Sequence, residues 1–121
     1  MSLFFVSLLT AFIVGHPVPV MCDYVGGHAG EYISAREVIV LDPIVCSGFT
    51  AAVGSRAQAV AVYDLTHESE HARGVMDESR AECATLIDFP RVVKRLSLSP
   101  RLLRFARSIH AAMPPAYQGV C

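Results

Sequence analysis

Residues Arg56 to Arg73 contain neither glycine nor proline, and Gly54 and Gly74 stand just outside them. Glycine weakens a helix interior by about 1 kcal/mol and proline by about 3. A run free of both, reading RAQAVAVYDLTHESEHAR, is therefore predicted to be helical, with Gly74 where a C-terminal glycine belongs. Asp77 can cap a second helix running to about Phe89, where Pro90 is expected to stop or kink it. Ser99-Pro100 gives a third start signal, and that helix is predicted to run to about Met113 before Pro114-Pro115. Pro43 to Val53 opens a shorter helix that Gly54 interrupts. The β-branched run Arg36 to Asp42, REVIVLD, suits a strand, and the Pro- and Gly-rich residues 17–34 suit loops and short extended pieces. The expected class is mainly α, with α+β as the alternative: one helical core and one short extended element.

Composition narrows the function classes. The chain has 121 residues, 53% apolar and 17% charged, which fits one globular domain and excludes a disordered charged tail. A net charge of −1 gives no electrostatic case for nucleic acid. The uncharged run 2–14, SLFFVSLLTAFIV, resembles the apolar region of a signal peptide, but no Lys or Arg precedes it and no A-x-A-like site follows. It is short for a spanning helix. Residues 1–15 are thus read as an apolar segment, a signal or anchor in a secreted or membrane-anchored protein, or a buried helix of a cytoplasmic one. Residues 16–121 are read as one domain. Acids gather between Asp64 and Asp88, and six bases follow from Arg91 to Arg107 with no acid among them. A solvated face is the expected role of those bases, an anionic surface or lipid head group the alternative.

His67-Glu68-Ser69-Glu70-His71 fits HExxH within the predicted helix. Residues i and i+4 share a helical face. Two imidazoles so placed can bind one Zn²⁺, while Glu68, offset by about 100°, can take a proton from water at the metal and pass it on. A catalytic zinc generally has three protein ligands. Asp77, Glu78 and Glu82 are the candidates for the third. Glu78 is favoured: Asp77 is occupied as a cap, and Glu82 lies one turn further from the chain reversal at Gly74. Asp64, one turn before His67, could accept the second ring N–H of a ligand histidine. His16, His28 and His110 have no partner at ligand spacing and are expected in loops or at the surface.

His67 to Asp77 also reads HExxHxxGxxD, which resembles the metzincin pattern with Asp77 as third ligand and Met113 downstream. A closer resemblance covers most of the chain from Val20. LTHESEHARGVMDESRAEC, with PPAYQGVC at the end, is similar to the signature of small HExxH-containing metallopeptidase-like proteins of high-GC Gram-positive bacteria: HExxH-x-RG, an acidic pair, then Glu-Cys. That resemblance implies a zincin-like hydrolase fold with Zn²⁺ on His67, His71 and Glu78, and supplies no substrate; a peptide or protein substrate is the expectation from HExxH itself.

The four cysteines include no CxxC, so a cysteine zinc site is not expected. Three pairings are open. Cys22–Cys46 with Cys83–Cys121 is favoured, because it joins neighbouring segments and ties down the C-terminus. The leading expectation is a small zinc metallohydrolase, a peptidase. The alternative is a non-catalytic exported module, stapled by disulfides, with a structural metal or none.

Overall fold

The computed structural model describes residues 3–119 and 121. Its centre is the helix the sequence singles out, here α3 (Arg56–Ala72), capped by Ser55, whose hydroxyl accepts from Gln58 N–H at 3.2 Å. Every residue from Ala61 to Glu70 is buried. The polar end of α3 is therefore surrounded by protein, and its polar side chains must find partners there. Thr66 and Ser69 donate back to the carbonyls of Val62 and Leu65.

The apolar N-terminal segment forms α1 (Leu3–Val14) and lies along α3. Val6, Leu9 and Ile13 enter the main core with Leu65, Phe89 and Leu102. Buried Thr10 donates to Ser7 O and accepts from Val18 N–H at 3.1 Å, which ties the helix to the extended chain that follows. One side of α1 packs on the core and the other is exposed, and no helix among the described residues is long and apolar enough to cross a membrane.

One extended element was expected, and the sheet has three strands: β1 (Val20–Cys22), β2 (Gly30–Ile33) and β3 (Val38–Leu41). Their order is β1-β3-β2, with β1 parallel and β2 antiparallel to β3. β3 is the predicted strand, shortened because Arg36 and Glu37 turn the chain, Glu37 with a φ of 50°. The two outer strands come from the Pro/Gly-rich stretch and are too short for a period-2 pattern to emerge.

After β3, Asp42 caps α2 (Pro43–Ser47), and a 3₁₀ turn over Gly48–Thr50 leads toward α3. Asp77 caps α4 (Glu78–Arg95) as expected, accepting from Arg80 N–H at 2.9 Å. Pro90 does not stop α4. It is exposed, while Phe89, Val92 and Val93 beside it are buried, so packing holds the helix across the missing N–H. Ser99-Pro100 starts a 3₁₀ helix (Pro100–Phe105) rather than an α-helix, and only then comes α5 (Ala106–Ala111), which ends before Met113.

The disulfides are Cys22–Cys46 and Cys83–Cys121. The first joins β1 to α2. The second ties the C-terminus to α4.

Two outcomes follow for stability. Leu9 is fully buried, so Leu9→Ala is expected to lower stability by about 2–5 kcal/mol in a urea titration. Cys83–Cys121 closes a separation of 38 residues, and the double variant Cys83→Ser/Cys121→Ser is expected to lose about 4 kcal/mol in the same measurement.

Candidate metal centre

His67 and His71 lie one turn apart on α3, their rings in an edge contact with centroids 4.9 Å apart. Gly74, at φ 112°, reverses the chain after α3. Val75 N–H bonds back to Glu70 O at 3.0 Å, and this closed turn delivers Glu78 at the start of α4. Glu78 Oε1 stands 3.4 Å from His67 Nε2 and also contacts His71 Nε2. The three side chains offer ligand atoms within 4.8 Å of one another, a group that could hold a metal ion. Asp77 is not part of it, because its carboxylate is spent on the Arg80 N–H and the Ser79 hydroxyl.

Both histidines are oriented from behind. His71 Nδ1 donates to Val75 O at 2.7 Å, a carbonyl placed by the Gly74 turn. His67 Nδ1 donates to Glu82 Oε1 at 2.9 Å. Each ring therefore keeps Nε2 free to face the shared point, which is what a ligating imidazole requires. Glu82, fully buried on α4, also accepts from the Tyr63 hydroxyl at 2.5 Å and from His110 Nδ1 at 2.6 Å. Its carboxyl is held below the usual range: burial alone would raise it, and the donors from His67, Tyr63 and His110 outweigh that. The support expected from Asp64 comes from Glu82 instead. His110, expected at the surface, is part of the site's scaffold; an isolated histidine 39 positions beyond His71 carries no spacing signal that could have revealed it.

Glu68 points beside the histidines and is only 7% exposed. Burial pushes its carboxyl up to about 8; His67 opposes this, while Glu78, Asp64 and Glu31 add to it. It makes no hydrogen bond among the described residues. Burial likewise pushes Asp64 up to about 7. His67 rises to about 9: burial would lower it, but the Glu82 hydrogen bond and the charges of Glu68, Glu82 and Glu78 prevail. Four carboxyl groups crowd two imidazoles, so a positive ion among them relieves repulsion that the protein alone leaves in place.

Two adjoining clefts open over this group. One is lined by Gly30, Tyr32, Glu68, His71, Glu78 and Tyr117, among others. The second shares Gly30, Glu68 and Tyr117 and reaches His67 and Asp64. Tyr117 stacks on the His67 ring at 5.3 Å and lines the cleft beside Glu78, so the C-terminal segment forms one wall. Gly30 forms the other. A Cβ there would lie 2.7 Å from Leu41 Cδ2 and 3.2 Å from Glu68 Cγ, so β2 approaches Glu68 this closely only without a side chain.

Comparisons with protein-family models, curated proteins and solved structures found no match.

Glu82→Gln keeps the shape but removes the charge that orients His67. Metal affinity, measured by competition with a chelator, is expected to fall about 10–100-fold.

Proposed function

We propose that this protein is a zinc-dependent hydrolase of peptide bonds. The observation that carries the reading is the convergence of His67, His71 and Glu78 beneath an open cleft, with Glu68 buried beside them and unbonded. Two imidazoles and one carboxylate are a donor set suited to zinc. A zinc ion held by His67, His71 and Glu78 would supply Lewis-acid activation of a water and of a substrate carbonyl. Glu68, buried beside the two histidines, would take a proton from the attacking water and pass it to the leaving amine. Tyr117 closes the cleft on one side.

A peptide substrate is favoured by β2. Asp42 N–H bonds to Ala29 O at 2.9 Å, which sets the phase of the ladder. Alternation then turns the N–H and C=O of Gly30 and Tyr32 away from β3, toward the free edge of the sheet. Both residues line the cleft. An extended peptide can pair with that edge and lay its backbone across the histidines. The rival reading, a non-catalytic module with a structural metal, needs a closed site of four protein ligands; the group contains three among the described residues. The two disulfides fit an oxidising, extracellular location.

Elemental analysis of purified protein is expected to find about one zinc per chain, lost in His67→Ala, His71→Ala and Glu78→Ala. Asp77→Ala should keep the metal and lose only about 0.5–2 kcal/mol of stability. Glu68→Gln should keep zinc and abolish cleavage of a mixed peptide library. Zinc retained in Glu78→Ala but lost in Asp77→Ala would replace Glu78 by Asp77. Undiminished cleavage by Glu68→Gln would remove it from the mechanism.

A further inference from the structure

Away from the cleft, α1 and α4 form a face that nothing among the described residues covers. α1 carries no charged residue, and its buried side is already used on the core. Phe4, Leu8 and Phe12 follow one another at i, i+4 and i+8 on the other side, with Phe4 71% and Leu8 41% exposed. At Phe12 this stripe meets α4 across a groove lined by Ile13, Arg73, Ala84, Ile87, Asp88 and Arg91. Ile87 is 64% exposed and continues the apolar surface. Arg91 and Lys94, at i+4 and i+7 from Ile87, follow it on the same side of α4, and both are exposed.

The charges of this face point outward. Arg73 pairs with Glu70, whose side chain is fully buried, and Arg91 pairs with Asp88, which is mostly buried, while both guanidinium groups remain open to solvent. Lys94 and Arg95 add two more exposed cations, and no acid follows Asp88 in the chain. An uncharged apolar helix flanked by outward cations matches the boundary of an anionic bilayer, where apolar side chains enter the acyl region and cations stay among the head groups. Twelve residues make a helix about 18 Å long, short of the roughly 30 Å hydrocarbon core, and the other side of α1 is committed to α3. The helix therefore lies in the membrane surface and does not cross it. A second copy of the chain is a poorer occupant, because a two-fold contact through this face sets one cationic rim against another.

We infer that the α1–α4 face docks the protein peripherally on an anionic lipid surface, through Phe4, Leu8 and Ile87 with Arg73, Arg91, Lys94 and Arg95. This inference is independent of the hydrolase reading. The test is co-sedimentation of the full chain with vesicles of phosphatidylcholine alone and of phosphatidylcholine mixed with phosphatidylglycerol. Binding is expected only to the mixed vesicles, released by salt, and weakened at least about tenfold in Phe4→Ser/Leu8→Ser and in Arg91→Glu/Lys94→Glu. Circular dichroism and metal content check that each variant is folded. Should the α1 variant fail to fold, hydrogen exchange of the wild type decides: vesicle-induced protection must fall on α1 and α4, and protection elsewhere overturns the inference. Wild-type protein that stays in the supernatant with anionic vesicles overturns it, as does unchanged binding by both folded variants. A dimer in sedimentation that Phe4→Ser/Leu8→Ser dissociates, without vesicle binding, assigns the face to a second copy instead.

Discussion

The buried carboxylate of Glu82 is the contact around which the molecule is organised. Three donors from two other helices end on it: Tyr63 and His67 from α3 and His110 from α5, while Glu82 itself stands on α4. A charged group at zero exposure is tolerable only when fully bonded. Those bonds fix how far α4 and α5 stand from α3, and so where Glu78 and Tyr117 arrive over the histidines. The same contact selects the ring nitrogen that His67 presents. Fold and site share one interaction, and a change to either is felt in the other.

Glu82 also bears on how much the sequence discloses. HExxH fixes the residues of one helical turn, and the bracket of Ser55 and Gly74 fixes that turn's helix, so His67, His71 and Glu68 were legible from local rules alone. Glu78 was legible because a capping Asp77 leaves its neighbour free. The disulfide pairing followed from proximity along the chain. What stayed hidden was long-range. Glu82 was weighed as a ligand and proves to be the orienting acceptor, a role decided by how α4 packs across α3. His110 and Tyr63 carry no spacing pattern toward their partner. Pro90 inside α4 and the 3₁₀ geometry after Ser99 are cases where tertiary packing overrode a local rule. Two strands of three residues and four residues left too little pattern to read.

A chain this small builds its site with little material. The core uses the N-terminal helix that the sequence left undecided, and the cleft is walled by one edge strand and by the last few residues before Cys121. Neither wall is thick. Gly30 contributes by having no side chain, and Tyr117 by a ring stack on His67. The cleft therefore stands open to solvent on its outer side, with Glu68 beneath it.

The bond between Cys83 and Cys121 has a consequence for the protein when it is not folded. Cys83 directly follows Glu82, and Tyr117 lies four positions before Cys121. Even in an expanded chain, the closed loop keeps the tyrosine within a short search radius of the acids it must meet again. Heated and cooled in its oxidised form, the molecule starts its return with the C-terminal wall of the cleft already tethered to α4. The reduced chain has to find the same partners across an open polymer. Recovery of the site after heat is thus a property of the covalent ring as much as of the folded contacts.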